Sequence, residues 1–277
     1  AERRLYGLGA SGTAAREDAG LPARGQIARI AADAWDYLDT HHRDAETGRL
    51  LKRSRGGVAG LQAHLDDYAF MLDAALSLYD CLLEVRLLQR ATELADEIIS
   101  RFADHGRGGF FQTAEDAEAL LYRPRPSHDS ATRNAASVAT ECLVRLYHIT
   151  GRAPYMEAAE LALKDAAGAL AAARGSHLGM AMALMTWLNP QPQIIVVGTL
   201  GEAETEAMLN LAWELLPDGA TRIFLPAERH PDRARLAELA PHLAGMATAK
   251  PGAAYLCRDF ACERPVYGVD ALREMLS

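Results

Sequence analysis

Residues 132–172 read TRNAASVATECLVRLYHIT, then GR, then APYMEAAELALKDAAGALAA. This stretch predicts two helices, Thr132 to Ile149 and Pro154 to Ala172, joined by Thr150-Gly151-Arg152. Gly stops a helix because it can turn left-handed without a Cβ clash. Pro suits the first helical turn, where no N–H is needed. Helix, short turn, helix is the rhythm of stacked hairpins.

The same rhythm extends on both sides. Gln26 to His42 places Ile27, Ile30, Ala34, Trp35 and Leu38 at helical spacing. His64 to Leu83 does so with Leu65, Tyr68, Leu72, Ala75, Leu76 and Tyr79. Leu87 to Phe102 does so with Leu88, Ala91, Leu94, Ala95, Ile98 and Phe102. Ser176 to Leu188 is a further helical zone, and its Met180 to Met185 stretch suits core packing. Asp104 to Asp129, bearing Gly and Pro, interrupts the helices. The hairpins are alike in shape but carry no residue-level repeat.

Asn189-Pro190-Gln191-Pro192 marks a boundary. Ile194-Ile195-Val196-Val197-Gly198 then reads as a buried strand. A helix from Glu202 to Leu215, a strand from Thr221 to Leu225 and a helix from Arg233 to Leu239 follow. Ala253 to Cys257 is a third candidate strand, and Asp270 to Leu276 a terminal helix. Such alternation favours parallel strands linked by helices. The expected organisation is a loose arm over 1–25, a helical-hairpin domain over 26–189 and a small α/β unit over 190–277. The fold class is mainly α.

With 277 residues, 49% of them hydrophobic and 24% charged, the chain can bury a sizeable core. A net charge of −8 argues against a general nucleic-acid or anionic-membrane binder, which needs clustered Lys and Arg. No apolar run approaches the roughly 20 residues that span a bilayer. Four scattered cysteines make no disulfide scaffold, so a reducing cytoplasm is the expected setting.

Several short stretches carry a resemblance. They are Leu51-Lys52-Arg53-Ser54-Arg55-Gly56, Leu65-Asp66-Asp67-Tyr68-Ala69-Phe70 and Gly108-Gly109-Phe110-Phe111-Gln112-Thr113. Arg123-Pro124-Arg125, Asp129, Ala254-Tyr255-Leu256-Cys257, Cys262 and Pro265-Val266 complete the set. In this order and spacing, the chain resembles the C-terminal half of the YyaL-like proteins, the spermatogenesis-associated protein 20 family. Complete members join a thioredoxin-like domain to a helical-hairpin barrel similar to N-acylglucosamine 2-epimerases and six-hairpin glycosidases. The resemblance therefore implies a partial, toroid-like α/α-hairpin barrel. Six helical zones make about half of a twelve-helix ring, so the ring is expected to be open or completed by another chain. It also implies a carbohydrate-related function, epimerase- or glycosidase-like. The alternative is a non-catalytic scaffold that binds a thioredoxin-like domain or another copy of itself. One segment departs from the family: Arg133, Asn134, Ala135 and Ala136 replace its Pro, Ser, Gly and Asn, which puts catalysis in doubt.

Each candidate site residue has two readings. Asp66 and Asp67 are the candidate acid or base, since adjacent carboxylates repel and can raise one pKa. They equally suit a helix N-terminus, where acidic groups meet free N–H groups. His64 and Tyr68 are close enough to share a ligand, or they serve structure. Phe70 reads as core. Phe110 or Phe111 could stack on a sugar face or plug the loop. Arg123 and Asp129 could hold a hydroxyl-rich or anionic ligand, or form a structural ion pair. Cys257 and Cys262 are five apart, not the Cys-x-x-Cys redox motif, and two sulfurs alone do not make a zinc site. A reversible disulfide stands beside plain packing as their reading. Cys81 and Cys142 lie on apolar helix faces. Gly198-Thr199-Leu200-Gly201-Glu202 lacks the full dinucleotide glycine pattern and reads as a strand-to-helix turn. Neither cofactor nor metal is expected.

Overall fold

The structure is a computed structural model that describes residues 24–277, apart from 126, 218, 228–229 and 247–251. The expected arm lies, but for its last two residues, outside the described residues. Among the described residues the chain is mainly helical, with a small sheet near its end.

Helix α1 (Arg24–His41) leads into a hairpin of β1 (Leu51–Arg55) and β2 (Val58–Gln62). Helices α2 (Leu65–Leu82) and α3 (Val85–Phe102) follow as an antiparallel pair. After the long loop come α4 (Ala135–Thr150), α5 (Ala153–Ala172) and α6 (Leu178–Leu188). The packing runs α1 on α2, α2 on α4, and α4 on α6, with α3 and α5 flanking that row. Residue chemistry sorts the helices. α2 and α4 are apolar around most of their circumference and bury Leu65, Tyr68, Leu72, Tyr79, Val138, Leu143 and Leu146. α3 buries only one stripe, Leu87, Leu88, Ala91, Leu94, Ala95 and Ile98, and shows charge on the other side. Small residues at the start of α4 (Ala135, Ala136, Ser137 and Ala139) are all buried. Gly151 closes α4 at φ 71°, the left-handed stop its sequence announced. α2 instead ends on Leu83 at φ 56°, a position where Gly is usual.

The sheet has the order β4-β3-β5-β6, with β7 also on β5. β3 (Gln193–Gly198) and β4 (Thr221–Pro226) are parallel, linked by α7 (Ala203–Leu215). β5 (Ala253–Arg258) runs antiparallel to β3, which corrects the all-parallel expectation. α8 (Pro231–Leu239), β6 (Ala261–Cys262), β7 (Val266–Tyr267) and α9 (Val269–Leu276) complete the chain. β3 is buried at every residue because both its faces are covered. Ile195, Val197, Ile223, Leu225 and Cys257 join the core of the helices. Ile194, Val196, Phe224 and Leu256 pack with α7 and α9 in a second cluster.

Three expectations need correction. Phe70 is 40% exposed, not core. Met180 is buried, but Met182 and Met185 face outward, since α6 packs with one side only. The β1–β2 hairpin was not expected at all. Its signal was Gly56-Gly57, both at positive φ, between two five-residue strands.

Candidate functional site

The His64–Phe70 stretch sits where β2 turns into α2. Asp67 is the third residue of the helix, and its Oδ2 accepts the His64 backbone N–H at 2.8 Å. That bond satisfies the backbone N–H of the residue just before the helix. The Lys52 ammonium lies 3.8 Å from the same carboxylate oxygen and donates to His64 Nδ1 at 3.0 Å. Asp66 faces another way, as helical geometry requires of neighbours, and accepts from Gln112 Nε2 at 2.9 Å. Gln112 belongs to the Gly108–Thr113 stretch, and its carbonyl also accepts the Leu65 N–H at 3.0 Å. Two of the short motifs thus meet at the head of α2.

Asp66, Asp67 and Lys52 border an open groove of about 340 Å³. Leu38, Leu50, Leu51, Met71 and Ala74 line its floor and walls, and Phe70 stands at its edge. His42 also reaches it, its Nε2 3.1 Å from Ser54 Oγ. Tyr68 points away into the core. Its hydroxyl donates to Glu97 Oε2 at 2.9 Å and accepts the Leu50 N–H at 3.2 Å. Burial first, and then the Glu97 charge, push its pKa up to about 12.

The other expected residues lie elsewhere. Phe110 is buried, and Phe111 lies beneath guanidinium groups, with Arg123 4.0 Å and Arg125 5.5 Å from its ring centroid. Arg123 donates to the Thr113 carbonyl at 2.6 Å and to the Arg101 carbonyl at 3.3 Å. Arg125 is paired with Asp104 and, at 2.7 Å, with Asp165. Gly108 and Gly109 let this loop press onto α5. A Cβ on Gly108 would stand 2.6 Å from the Leu161 carbonyl oxygen, and one on Gly109 2.7 Å from Arg125. Asp129 accepts the Asn134 N–H at 2.8 Å and the Gly179 N–H at 2.7 Å, tying the loop to the starts of α4 and α6. Asp66 and Asp67 therefore share a hollow with Lys52, while Arg123 and Asp129 are engaged at other points of the long loop. Sequence reasoning missed His42, Gln112 and Asp165 as partners in these contacts. No local pattern marks them: Gln112 and Asp165 meet partners 46 and 40 residues away, and His42 meets Leu51 and Ser54 only once the chain has turned into β1.

Cys257 and Cys262 form a disulfide across β5 and β6. Plain packing of two thiols is thereby corrected. Cys142 is buried, while Cys81 is only partly so. No described helix is long and apolar enough to cross a membrane.

No family model matches the chain. The chain is 27% identical to an uncharacterized protein of Caenorhabditis elegans over 93% of its own length. It is 26% identical to human spermatogenesis-associated protein 20 over 91% of its length, and 26% identical to the rat protein of that name over 89%. It covers 37%, 33% and 32% of those proteins, so it spans about a third of the length of the curated relatives it matches. Likeness along nearly the whole chain to proteins of that name supports the resemblance read from the short motifs to the spermatogenesis-associated protein 20 family.

Proposed function

We propose that this chain is a non-catalytic helical-hairpin module, part of an α/α-hairpin barrel, that works by docking to other helical hairpins. The carrying observation is the pair of apolar stripes at the two ends of the helix row. On α6, Leu178, Met182, Met185 and Leu188 are exposed at helical spacing, Met185 by 62%. On α1, Ile27, Ile30 and Tyr37 are exposed. A row of hairpins that ends in apolar faces has the character of an arc of a ring. The expected site groups supply further support, since Asp67, a candidate acid or base, caps a helix, and Asp129, a candidate ligand-binding residue, staples two. The first occupant of the stripes is a second copy of the chain; the thioredoxin-like domain implied by the resemblance is the other partner to test. Sedimentation of the full chain over a range of concentrations tests the self-docking form. The expected result is reversible association that Met182→Glu with Met185→Glu abolishes. A chain that stays monomeric at high concentration, or associates equally well with both glutamates, refutes it.

A second reading is favoured by Phe70, an exposed ring beside Asp66 at the groove. A ring next to a carboxylate suits the apolar face and hydroxyls of a sugar. Thermal unfolding with a panel of sugars and sugar derivatives checks it. A rise in Tm lost in Phe70→Ala and in Asp66→Asn supports a sugar site, and no rise with any of the panel removes it.

A further inference from the structure

The geometry points to the Cys257–Cys262 disulfide as a redox-reversible latch, opened by thiolate attack on Cys262, that clamps Phe260 onto the end of α4. The inference is independent of the docking proposal.

The latch is a two-residue hairpin. Cys257 pairs with Cys262 and Arg258 with Ala261, leaving Asp259 and Phe260 as the turn. Both turn residues have positive φ, 48° and 62°. Tight hairpins favour that pair of conformations, but usually with Asn-Gly or Asp-Gly. Phe at φ 62° is an outlier for a bulky side chain and persists only when its surroundings hold it. Two things hold it here. The disulfide closes the base of the turn. The Phe260 ring lies edge-on against Tyr147, with centroids 5.3 Å apart, and against His242 at 5.1 Å. Tyr147 belongs to the last turn of α4, so the hairpin tip bridges the sheet to the helices.

The seat of this clamp is poorly satisfied. His148 Nε2, His242 Nε2 and Gln193 Oε1 are buried and have no hydrogen-bond partner among the described residues. Gln193 sits opposite Cys257 in the sheet and donates to the His148 carbonyl at 2.6 Å. Opening the clamp would let water reach these atoms, which favours the open form once the covalent tie is gone. The two sulfurs also differ in access: Cys257 is fully buried, and Cys262 is exposed.

Attack is thus directed to Cys262 Sγ. An external thiolate bonds to it, the S–S bond breaks, and the electron pair leaves on Cys257, which takes a proton. A second external thiol then displaces Cys262 from the mixed disulfide. In total two external thiols are oxidised to one disulfide, and the protein disulfide is reduced to two thiols. A small monothiol and a dithiol share this chemistry.

The test equilibrates the full chain in graded mixtures of reduced and oxidised glutathione and counts free thiols by alkylation and mass spectrometry. Dithiothreitol in a parallel arm separates dithiol from monothiol reduction. The expected result is interconversion of Cys257 and Cys262 within the range of glutathione ratios found in cells. A disulfide that survives the most reducing mixture is a fixed staple and overturns the inference, as does a pair that never forms in the most oxidising one. In Cys257→Ser, glutathione should become attached at Cys262; an unmodified Cys262 counts against it as the attacked sulfur. Amide exchange supplies the conformational readout. Reduction should raise exchange in residues 257–262 and at the end of α4 and leave α2 unchanged. Unaltered exchange there means that the bond latches nothing.

Discussion

At the scale of the residue, Asp66 and Asp67 are adjacent in sequence yet do different work. Asp67→Ala removes the acceptor for the His64 N–H and the partner of Lys52. It should cost about 1 kcal/mol, as lost helix caps do. Asp66→Asn keeps an acceptor for Gln112 and should change stability by less than about 0.5 kcal/mol. Urea unfolding of both variants decides this, and equal losses would contradict the assignment. Tyr68 offers a second check. Tyr68→Phe loses two hydrogen bonds and leaves the Leu50 N–H and Glu97 without it, at a cost of about 1–2 kcal/mol. Its folded pKa is raised to about 12 from the ordinary 10.0. The neutral phenol is therefore favoured by folding. This contribution is fully present below pH 10 and is lost as pH rises towards about 12. The wild-type stability curve should fall more steeply over that window than the curve of Tyr68→Phe.

At the scale of the element, the starts of α4 and α6 are held by one carboxylate. Asp129 accepts from Asn134 and Gly179, and a Cβ on Gly179 would lie 2.9 Å from Asp129 Oδ1. Gly179→Ala must push this carboxylate away and should cost on the order of 1–3 kcal/mol, the usual range for overpacking. Calorimetry on the variant should show a lowered Tm, and an unchanged Tm would remove the staple. The end of α4 makes the opposite demand on acid. Burial lowers the pKa of His148, against a smaller opposing effect of Asp259, and burial alone lowers that of His242. Both are favoured neutral in the fold. Their contribution is present above the ordinary histidine pKa of 6.5 and is lost as pH falls through their lowered values. His242→Asn should flatten the acid limb of the stability curve, and an identical limb in wild type and variant would exclude this source.

At the scale of the whole molecule, the sheet is not an appendage. Ile195, Val197, Ile223, Leu225, Ala253 and Cys257 share one apolar cluster with Leu72, Leu76 and Leu143 of the helices. Helices and sheet should therefore unfold together. Trp35 reports on α1 against α2, and Trp213 on α7. Fluorescence and far-UV circular dichroism should trace one coincident transition in urea. Two separated transitions would show that the sheet folds apart from the hairpins.

Much of this architecture was legible in local chemistry. Gly151 and Pro154 announced the turn between α4 and α5, and the β-branched run at 194–198 announced a doubly covered strand. Those signals act through nearest neighbours: φ preference, a missing N–H, the period of apolar side chains. The antiparallel course of β5 was not legible, because strand direction depends on which edge the chain returns to. The outward Phe70, Met182 and Met185 were not legible either, because an apolar stripe looks the same whether or not another helix lies against it. Asp66 meets Gln112 46 residues away, Arg125 meets Asp165 40 residues away, and Asp129 meets Gly179 50 residues away. Sequence alone placed the helices and the strands β3, β4 and β5 to within a few residues, and offered two roles for each charged group. Tertiary structure alone set which partner each of these groups meets, because a carboxylate's neighbours are the donors the folded chain brings within about 3 Å of it.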